Sequence, residues 1–405
     1  MSDKHLGGAP PIGLVVSILV LASATSIMST DMYAPSLPDL ADEFNTSASK
    51  IKLTISLNMV AFGLAQLLHG PLSDRFGRRP ILLWSLAGVV VGCLLCTSAQ
   101  TVNQLILARI FLGLVAAAEA VIGLAILKDL YVEKQQVKAL ALLGMVIAIV
   151  PAMAPILGGY LHVQFGWESN FYVIALMACL SFIVVYLFLP ESSTPDAQAL
   201  QIKRIATAYA GLLKNADFLS HTLVLGVALG LIFVFVTAAP FVLITYFGVQ
   251  VQHFGFYQAA IVVSFFIGSV TASQLADHWA PDRLLNFGVS FVMAGTIVLV
   301  VLILSEKLSA INLAATYAII TFGMGPLFAV APSHALRSIK SHAGAASAML
   351  SGLEQGIAGL SAVAVSLIHD GTPKPMAWVS GFLALMLVGL IVWIRNQKSH
   401  AIVSQ

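Results

Sequence analysis

Long apolar runs separated by short polar breaks recur along the whole chain. A bilayer core takes roughly twenty apolar residues per helix, because every backbone polar group must be satisfied inside the segment. Runs of that kind fall at 12–38, 50–70, 80–99, 103–127, 137–162, 167–189, 217–247, 255–276, 283–304, 310–333, 345–369 and 376–394. They predict twelve membrane-spanning helices. The opening MSDKHLGGAPP carries one lysine, and the apolar run from Ile12 continues past Met28 without a small-residue cleavage site. It is therefore expected to be the first span and not a removed signal peptide.

Composition agrees with the pattern. Of 405 residues, 59% are hydrophobic and 9% charged, against roughly 25% charged in soluble globular chains. Mean hydropathy is +0.94. A formal net charge of +2 leaves no basic excess to hold a nucleic-acid backbone, so nucleic acid is excluded as a partner. Cys93 and Cys96 share one apolar run and Cys179 lies in another, so neither disulfides nor a metal site is expected. No nucleophile–base pairing, phosphate-binding loop or metal spacing points to an enzyme.

The breaks differ in their basic residues, which sets orientation. With the amino terminus inside, the inner breaks hold Lys4, Arg75, Arg78, Arg79, Lys128, Lys134, Lys138, Lys203, Arg204, Lys214, Arg283, Arg337, Lys340, Arg395 and Lys398. The outer side holds only Lys50, Lys52, Lys307 and Lys374. Both termini are expected in the cytoplasm. The longest polar interruption, Pro190 to Phe218, divides six spans from six. The expected organisation is a six-helix bundle over 1–189, a cytoplasmic linker over 190–216 and a second bundle over 217–405. Asp74 and Asp277 follow the second and eighth spans, each before an arginine-bearing loop, as an internal repeat would place them.

The loop between spans 2 and 3 reads GPLSDRFGRRP. Gly77 permits a tight turn, Arg75, Arg78 and Arg79 hold the loop on the basic side, and Asp74 can pair with them or cap the next helix. Gly70, Asp74, Arg75, Gly77, Arg78 and Arg79 fit without gaps the G-x-L-x-D-R-x-G-R-[R/K] signature, and the chain resembles the major facilitator superfamily. That resemblance implies an all-α membrane fold of two six-helix bundles. It also implies that the loop locks one access state through contacts across the interface between the halves.

Span 5 carries APILGG, where Pro151 and Pro155 remove backbone donors and predict a kink, and Gly158 and Gly159 permit close approach of a neighbour. This is similar to the G-P-x-x-G-G motif of twelve-span drug:proton antiporters, with Ala154 at the first glycine. TDMYAPSLPDL in span 1, LARIFLGLVAAAEA in span 4 and FVFVTAAPFVLI in span 7 resemble the bicyclomycin-resistance and phenicol exporter group. Leu112 stands before Gly113 where the group usually has a polar residue.

Asp31, Arg109, Glu119 and Glu354 are the ionisable residues placed deep within spans, where a charge is costly and functional by default. Arg109 lies about 9 Å from the start of its span and Asp31 at a similar depth, so the two pair if their faces agree. The resemblance implies that they carry proton coupling and substrate binding; a structural ion pair is the alternative. Tyr33, Asn58, Glu119, Glu354 and Gln355 are candidates for the substrate cavity. For Glu119 the alternative is a carboxyl hydrogen-bonded between helices, and for Tyr33 and Asn58 an interhelical hydrogen bond. His69, His162, His334, His342 and His369 fall in breaks or near span ends, so no buried histidine relay is indicated.

The expectation is an exporter of drugs or small metabolites in the bacterial inner membrane. It would be driven by a proton gradient, without cofactor or metal, and work as a monomer among lipids. Two deep acids suit a cationic or zwitterionic substrate, and a neutral one remains open. A nutrient importer, a single-metabolite exporter and a non-transporting receptor on the same fold are the alternatives.

Overall fold

A computed structural model describes residues 10–337, 339 and 343–403. Lys4, Lys340 and His342, named above, lie outside the described residues. Among the described residues, twelve helices are long and apolar enough to cross a membrane. In chain order, spans 1 to 6 are Ile12–Glu43, Ala48–Phe76, Arg78–Thr97, Val102–Leu130, Lys134–Phe165 and Glu168–Phe188. Spans 7 to 12 are Ala216–Tyr246, Val251–Leu275, Pro281–Leu304, Ala310–Arg337, Gly344–Leu367 and Lys374–Gln397. A shorter helix, Ile202–Lys214, lies in the segment between spans 6 and 7. Each predicted run matches one span.

One boundary moves enough to matter. Span 2 begins behind Ser47, whose hydroxyl accepts the backbone N–H of Lys50, so the helix starts earlier than the apolar run. Lys50 and Lys52, counted from sequence among the basic residues of the outer side, lie in the first turns of this helix, and Lys52 is only 1% exposed.

Prolines mark the interruptions. In span 1 the α-helix stops at Asp31, a 3-10 turn covers Ala34–Ser36 with Pro35 inside it, and Leu37–Glu43 completes the crossing. Span 5 is two helices, Glu133–Ile147 and Val150–Phe165, broken just ahead of Pro151. Pro151 lacks the donor for the preceding turn and disfavours helical geometry in the residue before it. Span 7 passes into a π-helical turn at Phe241–Tyr246, directly after Pro240.

The two sets of six spans repeat one packing scheme. Spans 2 and 4, 3 and 4, 3 and 6, 1 and 5, and 1 and 6 touch in the first set. Their equivalents six spans later, 8 and 10, 9 and 10, 9 and 12, 7 and 11, and 7 and 12, touch in the second. Across the sets, span 2 packs on span 11 and span 5 on span 8. Apolar side chains such as Trp84, Leu107, Phe188 and Leu385 stand exposed on the outside of the bundle, where acyl chains would cover them.

The two ends of the molecule differ. At the end bearing Gly77, a cavity of about 630 Å³ separates the halves. Gln66, Asp74, Ala120 and Lys128 line it from one side, Pro332, Leu336, Ala348 and Ser351 from the other, and Ile205 and Ala208 of the short helix complete it. Towards the opposite end the halves close. A Cβ added to Gly63 would stand 2.5 Å from the Gly356 nitrogen, and one on Gly359 2.7 Å from the Val60 nitrogen. Backbones approach that closely only where no side chain intervenes.

Candidate functional site

Arg109 of span 4 is wholly buried and makes no ion pair among the described residues. Its Nη1 donates to the carbonyl of Ser29 and its Nε to that of Thr54, at 3.4 Å. The guanidinium lies over two rings, with Tyr33 at 4.9 Å and Phe171 at 5.7 Å from their centroids. Tyr33 in turn places its hydroxyl 3.2 Å from Thr54 Oγ1. Carbonyl oxygens and aromatic faces thus stand where a carboxylate was expected, an arrangement suited to guanidinium.

The expected pairing with Asp31 is therefore not formed, and helix geometry gives the reason. Ser29 and Tyr33 are four residues apart and share the face of span 1 that meets Arg109. Asp31 is two residues from each, about 200° around the helix. Its carboxyl has neither an ion-pair nor a hydrogen-bond partner among the described residues and is 7% exposed. Just beyond it, the Ala34–Ser36 turn packs on spans 5, 7 and 8, so Asp31 sits beside the junction of the two halves.

Span 5 is fixed to the same place. A Cβ on Gly158 would collide with the Met32 carbonyl, one residue from Asp31, and a Cβ on Gly159 would come within 2.8 Å of the Val251 carbonyl of span 8. Pro155 and both glycines of APILGG thus lie where spans 1, 5 and 8 meet, and Gln258 of span 8 points its amide to the Pro151 carbonyl at 3.5 Å.

Three proposed cavity residues are closed off. Tyr33 is engaged as described. Asn58 donates to the Arg109 carbonyl at 2.6 Å and receives Thr30 at 3.4 Å. Glu119 has Thr25 Oγ1 2.7 Å from its Oε2, between spans 1 and 4. Their exposures are 0%, 1% and 1%, and each ties neighbouring helices of one half together, which removes them from the cavity wall. Glu354 and Gln355 differ. Both are partly exposed on span 11, about one turn beyond Leu350 and Ser351 at the inner limit of the cavity.

The 70–80 loop is held by ion pairs and by the segment after span 6. Gly77, at φ 97°, is the sole residue between spans 2 and 3, in backbone geometry that favours glycine. Arg78 reaches Asp74 at 2.6 Å and Asp129 at 3.1 Å. Glu191 accepts the backbone N–H groups of Arg78 and Arg79 at 2.9 and 3.2 Å. Arg75 donates to the Ala197 carbonyl, Arg79 to the Tyr186 carbonyl, and the Asp74 carbonyl accepts Asp196 N–H at 2.9 Å. Among the described residues, no ion pair of the loop reaches the second half. Gly70 and Asp74 line the cavity, and a Cβ added to Gly70 would stand 3.6 Å from the Ala348 side chain of span 11. Tyr209 of the short helix donates to the Leu67 carbonyl at 2.8 Å, and burial together with the nearby Asp74 charge pushes its phenol up.

Sequence reasoning missed the closed end. Lys52 Nζ lies 2.7 Å from His369 Nδ1, and one turn deeper Ser56 Oγ lies 2.9 Å from Ser366 Oγ. Both contacts join span 2 to span 11 or the turn after it. Lys52 already fell within the run at 50–70, and a lysine inside a span was the signal that could have marked it.

The sequence pattern described as Major Facilitator Superfamily matches residues 19–363. A chloramphenicol resistance protein of Pseudomonas aeruginosa is 28% identical over all of this chain and 97% of its own length. A bicyclomycin resistance protein homologue of Haemophilus influenzae is 27% identical over 96% of this chain and 98% of its own. A multidrug resistance protein of Shewanella oneidensis is 25% identical over 93% and 90%.

Proposed function

The chain belongs to the major facilitator superfamily, and from that premise we propose that it exports drugs or other small molecules in exchange for protons. As a member it is a multi-pass membrane transporter with a small-molecule substrate. The halves 1–189 and 217–405, joined by 190–216, rock about the contacts between spans 2 and 11 and between spans 5 and 8. The basic residues of the Gly77 end favour the cytoplasmic side of a bacterial inner membrane, and in this reading the cavity described above faces inward and the Lys52 end faces out.

The observation that carries the reading is Asp31, an acid at the junction of the halves that no basic side chain neutralises. A carboxyl without a counter-ion at this depth is a place where a proton is taken up and released. Its backbone neighbour Met32 is the contact point of Gly158, so the state of Asp31 and the packing of spans 1, 5 and 8 bear on one another. Arg109 holds the Ser29 and Thr54 carbonyls and thereby fixes the turn that ends at Tyr33. Glu354, above the cavity, is the substrate-side acid and favours a cationic or zwitterionic ligand. Substrate from inside and proton from outside then compete, and each lowers the affinity of the other by the same factor.

Flux in inverted vesicles tests this. A substrate found by growth protection should enter the vesicles as protons leave. Movement of both in one direction would make the protein a symporter instead.

A further inference from the structure

From the contact between Lys52 and His369 we infer that His369 is a proton-binding site and that its neutral ring latches the two halves shut at the end opposite the Gly77 loop. Lys52 belongs to span 2, whereas His369 follows span 11, so their 2.7 Å contact spans the interface between the halves. The Lys52 ammonium is a donor with no acceptor capacity. With Lys52 charged, Nδ1 accepts, which requires a neutral ring carrying its proton on Nε2.

The surroundings reinforce the bond. Lys52 Nζ stands 4.7 Å from the centroid of the Phe241 ring, and the His369 ring lies 5.7 Å from the same ring. Phe241 opens the π-helical turn that follows Pro240, so a third element, span 7, covers the pair. The Ser56 to Ser366 hydrogen bond lies one turn further in on the same two helices. The charged groups acting on His369 are Lys52 from span 2 and Asp370 beside it in the chain; the π-helical turn Phe241–Tyr246 contributes a ring and no charge. Asp370 is occupied in its own turn, accepting the Thr372 N–H at 2.9 Å and its hydroxyl at 2.7 Å.

Protonation converts Nδ1 from acceptor to donor and sets two cations face to face. The contact cannot survive that change, so the halves separate there. Burial, and then the Lys52 charge, push His369 down from 6.5 to about 4 while the latch is closed. Opening removes both influences and returns the ring towards its ordinary value. The open form thus binds the proton more tightly, and the closed form, favoured above the ordinary histidine range, loses ground as pH falls towards about 4. The inference rests on the orientation proposed above only for the side from which the proton arrives, the outside. A proton there would open the transporter to the compartment into which substrate is released.

The test is a distance measured by spin labels at Lys50→Cys and Lys374→Cys in the full chain in lipid nanodiscs, with the native cysteines replaced by serine. The ratio of long to short distances should rise roughly fiftyfold between about pH 7.5 and about pH 4.5. His369→Asn, whose amide oxygen can stand in for Nδ1 without titrating, should remain closed across that range. Lys52→Met should already be open at the higher pH. Retention by His369→Asn of half or more of the logarithmic response would overturn the inference, as would a Lys52→Met protein as closed as the parent. The readout is a distance and not a flux, so the latch stands or falls separately from proton-coupled export.

Discussion

The guanidinium of Arg109 lies 4.9 Å from the centre of the Tyr33 ring, in a position where it serves the backbone of spans 1 and 2 instead of a carboxylate. Two carbonyls, at Ser29 and Thr54, take its protons. This makes the planar fork, and not merely the positive charge, the property that the site uses.

Arg109→Lys therefore keeps the charge and loses the function. A single ammonium cannot reach both carbonyls or lie flat over the Tyr33 and Phe171 rings. Charge-assisted hydrogen bonds contribute about 1.5–3 kcal/mol each, so transport should fall by at least about tenfold at equal expression. Transport within twofold of the parent in vesicles would mean that charge alone suffices.

Glu119 is read here as a tie between spans 1 and 4. Glu119→Gln retains an acceptor for Thr25, so its unfolding temperature in detergent and its transport should stay close to those of the parent. Glu119→Ala leaves the Thr25 hydroxyl without its carboxyl partner and should cost about 1–2 kcal/mol. Loss of transport in the glutamine variant at unchanged stability would instead place Glu119 in the coupling machinery.

Gly158 has no room for a methyl group against the Met32 carbonyl. Gly158→Ala should push span 5 from span 1 and lower transport about tenfold or more, while Gly144→Ala, which meets nothing within 4 Å, should be silent. Equal activity of the two variants in vesicles would show that the span 1 to span 5 contact does not matter to the cycle.

At the loop, Gly77→Ala imposes an unfavourable backbone geometry and crowds Glu191, whose Oε2 lies 2.5 Å from the position of the new Cβ. A penalty of about 1–2 kcal/mol is expected. It should be read as a drop in unfolding temperature that Glu191→Gln only partly reproduces. An alanine variant as stable as the parent would show that the turn relaxes without cost.

The fold was largely legible because hydropathy along the chain reports burial in lipid directly. Span number, the Gly77 turn and the break in span 5 at Pro151 all follow from local chemistry. The site was less so. Asp31 and Arg109 were placed at matching depths, but pairing depends on azimuth, and the two-residue step from Ser29 to Asp31 turns the acid away. Asn58 and Glu119 were recognisable as polar, yet only the neighbouring helices decide whether such a side chain faces a cavity or a partner. Lys52 fell inside the run at 50–70 but was counted with the outer-side charges, because nothing in its own stretch of sequence shows that it is buried. Its partner His369 is 317 positions away in the chain, beyond any local pattern.

The most direct test of proton exchange at Asp31 is substrate uptake by inverted vesicles containing Asp31→Asn, with and without an imposed pH gradient. The account predicts that gradient-driven accumulation is lost while substrate exchange at equal pH persists. Full gradient-driven accumulation by the asparagine variant would contradict it and remove Asp31 from the mechanism.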